Sequence, residues 1–235
     1  MASRLRPLTD NLPKCLLEIG DRTILGRILN NLIENSIEDV IIVTGYLSDQ
    51  IHSFVKIHYP DLKVQFIYNE VYDSTNCIYS LWLTKDHILS DDIILLDSDI
   101  IFDSRIVKLL ISSQYPDCLA LRSSGSMTME DMKVKIRDDD SIIEISKEIA
   151  LENAVGESIG IEKFSQPFLY DLFKILDRKI IDNNQVNLFY EAAFQEAIDK
   201  NNRIFAVDVG SYRCIEIDTH EDIKEAQSEI IPHLP

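Results

Sequence analysis

Asp92-Ile93-Ile94-Leu95-Leu96-Asp97-Ser98-Asp99 is a short, unbroken apolar run that stops on two acidic residues. A continuous run of this length reads as a strand buried on both faces. Asp39-Val40-Ile41-Ile42-Val43-Thr44 has the same character, and Lys63-Val64-Gln65-Phe66-Ile67-Tyr68 follows it. Ile24, Leu25, Ile28, Leu29, Leu32 and Ile33 recur at helical spacing, so the pattern predicts an amphipathic helix over 23–35. Further helices are expected over 48–58, 77–83 and 104–112, and a strand over 118–122. Alternating apolar strands and helices predict an α/β fold, a mostly parallel, Rossmann-like mixed sheet flanked by helices.

The pattern changes near residue 123. Ser123-Ser124-Gly125-Ser126 reads as a loop, and 134–137, 142–146 and 158–164 read as shorter strands suited to an antiparallel meander. Helices over 166–177 and 187–200 come next, then strands over 203–209 and 212–217. Thr219, with Asp222 three residues on, reads as the N-cap of a last helix. No repeat or Pro/Gly-rich linker interrupts the chain, which reads as one domain over 1–235 with a nucleotide-binding half at 1–122 and a lid-like second half at 123–235.

The 235 residues carry a net charge of -17, which argues against nucleic-acid binding, since that needs a basic surface. A few focused cations can still create a local site for a phosphorylated small molecule. No apolar run reaches the length of a membrane span, and the amino end lacks the apolar core of a signal peptide, so a cytoplasmic protein is expected. Cys15, Cys77, Cys118 and Cys214 are scattered without a C-x-x-C pair and read as reduced, mostly buried residues.

Two acidic pairs, Asp97/Asp99 and Glu216/Asp218, each close an apolar strand, where open α/β sheets bind ligands. If they meet, their mutual repulsion calls for a proton or a cation, and hard oxygen ligands without nearby Cys or His favour Mg²⁺. The same residues also read as strand-end and helix caps that never meet. Arg4, Arg6 and Lys14 lie in a stretch bracketed by Pro7 and Pro13, suited to phosphate contact or to a solvated basic tail. Lys147 ends a strand, Asn76 and Ser80 can read a base or cap a helix, and Tyr190 and Glu191 face substrate or cover the core.

Ser3-Arg4-Leu5-Arg6-Pro7-Leu8-Thr9 with Pro13-Lys14, then Asp99, then Glu216-Ile217-Asp218-Thr219, resemble the motifs of the nucleoside-triphosphate transferases, the pyrophosphorylases that make nucleotide sugars and related activated phosphates. The order and spacing hold over nearly the whole chain. Val43-Thr44-Gly45-Tyr46-Leu47, Tyr68-Asn69-Glu70, Asn76–Leu81, Met132-Lys133-Val134, Ile145-Ser146-Lys147-Glu148 and 159–164 are most similar to bacterial phosphocholine cytidylyltransferases. The family's first strand and glycine-rich phosphate loop have no counterpart before Ser3. Either the natural protein begins further upstream or another segment fills the gap.

The resemblance implies a magnesium-dependent transfer from a triphosphate, CTP foremost, to a phosphorylated acceptor such as phosphocholine, releasing pyrophosphate. It implies Asp99, Glu216 and Asp218 as metal ligands and Arg4, Lys14 and Lys147 as catalytic cations, with the metal- and acceptor-binding groups falling mainly in 123–235. Ser3, Tyr46, Asn76 and Ser80 would hold the nucleotide; Lys147, Tyr190 and Glu191 would hold the acceptor. Sugar-1-phosphate or aminophosphonate acceptors, and an inactive nucleotide-binding regulatory homologue, remain alternatives. A dinucleotide-dependent oxidoreductase lacks its G-x-G-x-x-G here. A monomer or homodimer without membrane insertion is expected.

Overall fold

The computed structural model describes residues 3–125 and 127–235; Ser126, in the predicted loop, lies outside the described residues. In chain order the elements are β1 (Glu18–Ile19), β2 (Arg22–Thr23), α1 (Ile24–Glu34), β3 (Asp39–Thr44), α2 (Ser48–His58), β4 (Lys63–Tyr68), α3 (Cys77–Leu83), α4 (Lys85–Ile88), β5 (Ile93–Leu96) and β6 (Ile100–Phe102). They continue as α5 (Arg105–Ser112), β7 (Cys118–Arg122), β8 (Lys133–Ile136), β9 (Ile142–Ser146), β10 (Gly156–Phe164), α6 (Gln166–Asp177), α7 (Glu191–Asp199), β11 (Phe205–Asp208), β12 (Cys214–Glu216) and α8 (His220–Glu225). The chain is a mixed α/β protein. No helix among the described residues is long and apolar enough to cross a membrane.

Two compact units divide the chain, each assembled from more than one segment. The first comprises Met1–Asp73, Asp97–Val107 and Tyr212–Pro235; the second comprises Ser74–Leu96 and Lys108–Ser211.

In the first unit, α1 starts because Thr23 caps it, its hydroxyl accepting from Gly26 N at 2.9 Å. The helix buries Ile24, Leu25, Ile28, Leu29 and Leu32 of the stripe its spacing predicts, whereas Ile33, in its last turn, is exposed. Each such side chain contributes about 1.5–3 kcal/mol when fully buried. β3 and β4 pair in parallel from Asp39↔Lys63 to Thr44↔Tyr68. β6 and β12 form an antiparallel ribbon, Phe102 opposite Cys214 and Ile100 opposite Glu216. Asn31, on α1, donates to the Phe102 carbonyl at 2.9 Å and ties the helix to that ribbon.

The second unit holds a six-stranded sheet organised around β10. One edge of β10 pairs with β7; the other is shared by β8 at its start and β5 at its end, all antiparallel. β11 joins β7 in parallel. The β7 register shifts between Ser158 and Glu162, where Gly160 adopts φ 71°, a backbone state that a side chain disfavours. Fully buried Lys133 is satisfied by main-chain carbonyls: its ammonium donates to Met129 O at 3.1 Å and Asp131 O at 3.2 Å.

The sheet is therefore less parallel than the strand–helix alternation suggests. β10 is the cause: at nine residues it is long enough to collect partners from both the early and the middle part of the chain. The four cysteines are free, Cys118 and Cys214 buried, Cys15 and Cys77 half-buried.

Candidate active site

The carboxylates converge through the β6–β12 ribbon. Beyond Glu216↔Ile100, the ladder continues for one step as Ile217 N donates to Asp99 O at 2.9 Å. Asp99 thus lies beside the residue between Glu216 and Asp218. Ile217 itself is fully buried and fixes the register. One carboxylate oxygen from each of Asp99, Glu216 and Asp218 lies within 4.8 Å of the others.

Asp218 is held by the start of α8. The Asp222 carboxylate accepts from Asp218 N at 2.8 Å and Thr219 N at 2.6 Å, while Thr219 Oγ1 accepts from Asp222 N at 3.2 Å. This is a reciprocal capping box, here fixing a site residue as well as a helix end.

The cations arrive from the amino end. A turn over Lys14–Leu16 closes as Leu16 N donates to Pro13 O at 2.9 Å, and buried Leu16 and Leu17 anchor it. Lys14 Nζ then donates to Asp99 Oδ2 at 2.7 Å and Asp218 Oδ1 at 2.6 Å. The Arg4 guanidinium pairs with Asp218 Oδ2. Arg6 pairs instead with Asp10, at 3.3 Å. Ser3 is exposed in the turn that carries Arg4.

Like charges this close repel by about 1 kcal/mol per pair in water and about 3 kcal/mol at an effective dielectric near 20. The site answers that repulsion in two ways. Desolvation, then the charges of Asp99 and Asp218, push Glu216 up to about 8, although the residue keeps contact with solvent. Burial works against charge on Asp218 as well, yet the hydrogen bond and charge of Lys14, with Arg4, hold its carboxyl below the usual range. For Lys14, burial favours the neutral amine, but the Asp99 charge and the hydrogen bonds to Asp218 and Asp99 prevail and raise its pKa. Three hard oxygen donors without a sulfur or imidazole among them suit a divalent cation of the magnesium or manganese type.

Tyr46 belongs to the same unit. Its hydroxyl donates to Asp10 O at 2.6 Å, and Gln50 Nε2 donates to Asn11 O at 3.2 Å. Both side chains therefore tether the loop that links Arg4 to Lys14. Gly45 precedes them where a Cβ would stand 2.5 Å from Tyr72, so the turn requires glycine.

Asn76, Ser80, Lys147, Tyr190 and Glu191 belong to the second unit. Asn76 caps α3, its side-chain oxygen accepting from Cys77 N at 2.8 Å, and Ser80 is half-buried on that helix. Tyr190 is buried, its ring centroid 5.1 Å from that of Phe194, and Glu191 is buried too. The aromatic face presented at this turn is Phe189, 45% exposed, with Lys147 Nζ 4.7 Å from its ring centroid. Phe189 is absent from the sequence reading because a helix expected from 187 absorbs it; α7 begins at Glu191. Asp222 was legible only as a cap, its hold on Asp218 being tertiary.

Residues 1–116 match the family described as nucleotidyl transferase. That match takes in 116 of the 235 residues, just under half of the chain. It is 28% identical to the CTP:phosphoglutamine cytidylyltransferase of Campylobacter jejuni over 94% of both chains. It is 23% identical to the choline-phosphate cytidylyltransferase of Streptococcus pneumoniae over 97% of this chain and 93% of the other. The solved structure of the CTP:phosphocholine cytidylyltransferase from Streptococcus pneumoniae superposes with a TM-score of 0.76 at 21% identity, covering 96% of this chain and 93% of that one. The fold is that of a nucleotidyltransferase, and the chain is an enzyme of this class.

Proposed function

We propose that the enzyme transfers a cytidylyl group from CTP to a small phosphorylated acceptor and releases pyrophosphate. The observation that carries this reading is the meeting of Lys14 and Arg4 with Asp99, Glu216 and Asp218. Carboxylates to hold a divalent ion and cations to hold phosphate stand within one unit. The cytidine preference and the acceptor class draw on the relatives named above.

An acceptor phosphate oxygen attacks the α-phosphorus; a new P–O bond forms, and the bond to the β-phosphate bridging oxygen breaks. Pyrophosphate leaves with that electron pair, so no proton need move at the reacting centre. Asp99 and Asp218, with Glu216 beside them, would hold a divalent ion, Mg²⁺ in this reading, which would supply neutralisation of phosphate charge. Lys14 balances charge building on the α-phosphate, and Arg4 forks onto the departing pyrophosphate. Lys147 takes the acceptor phosphate, with Phe189 beneath it as an apolar wall. Tyr46 keeps the cation-bearing loop in place, while Asn76 and Ser80 orient the base. Tyr190 and Glu191, both buried, follow Phe189 in the chain and would take part in acceptor binding only by supporting that turn.

A pyrophosphate-release screen tests the reading. The four ribonucleoside triphosphates with Mg²⁺ are crossed with phosphocholine, phosphoglutamine, a sugar 1-phosphate and an aminophosphonate. Release confined to CTP with phosphocholine or phosphoglutamine is expected. Release with none of the combinations would overturn it, and a sugar 1-phosphate preference would replace the acceptor.

A further inference from the structure

Both carboxylate oxygens of Asp218 are engaged by cations. Oδ1 accepts from Lys14 at 2.6 Å, and Oδ2 accepts from Arg4. The same Lys14 ammonium reaches Asp99 Oδ2 at 2.7 Å, so it bridges the two carboxylates that a divalent ion would share. An ammonium and a divalent ion crowded onto one pair of carboxylates repel each other. Lys14 is also drawn in, its side chain 16% exposed, whereas Arg4 is 58% exposed. While it is held this way, Lys14 cannot do what the transfer reading asks of it.

We propose that Lys14 is an exchangeable counter-ion: it bridges Asp99 and Asp218, and gives them up for the phosphates when a divalent ion enters with the triphosphate. The proposal rests on the nucleotidyl-transfer reading, which supplies the phosphates. Its consequence is coupling. A divalent ion alone must expel an ammonium that has no anion to go to, and a triphosphate alone must draw Lys14 off two carboxylates, with only Arg4 left to offset the charge of Asp218. Together, each ligand accepts what the other displaces. Metal and nucleotide therefore strengthen one another's binding, by the same factor in both directions. Arg4 follows at the outer oxygen of Asp218, where its exposure lets it swing without rearranging the core.

Calorimetric titration of Mn²⁺ into the full chain, with and without a non-hydrolysable CTP analogue, tests this. Lys14→Met is expected to bind Mn²⁺ about tenfold more tightly than the parent without nucleotide, and to lose most of the coupling between the two ligands. Unchanged or weaker nucleotide-free binding in a folded Lys14→Met protein would overturn the proposal. A second measurement needs no variant: acylation of Lys14 by an amine reagent, followed by mass spectrometry. Mn²⁺ alone should speed that modification severalfold and added CTP analogue should suppress it; a rate indifferent to Mn²⁺ counts against exchange. Asp99→Asn separates the two levels of the account. Mn²⁺ binding that survives in Asp99→Asn removes the metal site and both ideas with it. Binding abolished there but untouched in Lys14→Met removes only the exchange.

Discussion

Asp218 is the residue on which most interactions at the site depend, since Lys14, Arg4 and Asp222 all bond to it or its main chain. Asp218→Asn preserves shape and removes charge, so turnover should fall by at least about a hundredfold, as when a group that stabilises transition-state charge is lost. Circular dichroism should stay unchanged, and steady-state pyrophosphate release is the measurement. Tyr46 makes a different prediction, because its hydroxyl bonds to main chain rather than standing open for a base. Tyr46→Phe removes a hydrogen bond worth about 1 kcal/mol and loosens the loop bearing Lys14. KM for nucleotide should rise about fivefold for all four triphosphates alike. A selective loss of CTP over UTP would assign Tyr46 to base reading instead.

Helix α7 and the turn after α6 are tied through Glu196. Its carboxylate pairs with Arg178, with Lys179 at 3.2 Å and with Lys200 at 2.8 Å. Burial favours the neutral acid, but hydrogen bonds from Lys200, Arg178 and Lys179 outweigh it and bring the pKa from 4.5 down to about 2. A carboxyl depressed on folding stabilises the native state above its unfolded pKa, and that contribution fades as pH falls through the folded value. Glu196→Gln should therefore lose about 1–3 kcal/mol at pH 7, with the gap to the parent closing between about pH 4.5 and pH 2. Urea unfolding of both proteins across that range is the check. A gap that stays constant with pH would mean that packing, not charge, is what the variant lost.

Across the whole molecule, local pattern and tertiary pairing differ in how plainly they are written. Asp39–Thr44, Lys63–Tyr68, Ser48–His58 and Gln166–Asp177 form where the apolar spacing places them, because side-chain period alone sets which face is buried. Ile100–Phe102 escaped notice, being three residues long and hidden behind the acidic turn, yet it is the strand that carries Asp99 to Glu216. The antiparallel attachments of β10 are equally silent, since nothing in a strand's own residues names its neighbour. At the site, Asp99, Glu216 and Asp218 stand out as strand-end acids, whereas the bridging posture of Lys14 depends on a turn far away in sequence. The central claim is that these separated segments build one divalent-cation site beside the triphosphate. An anomalous difference map from crystals grown with Mn²⁺ and a non-hydrolysable CTP analogue tests it most directly. The account predicts a single manganese peak bonded to Asp99 and Asp218 and to a phosphate oxygen of the nucleotide, and a peak bonded to neither carboxylate would contradict it.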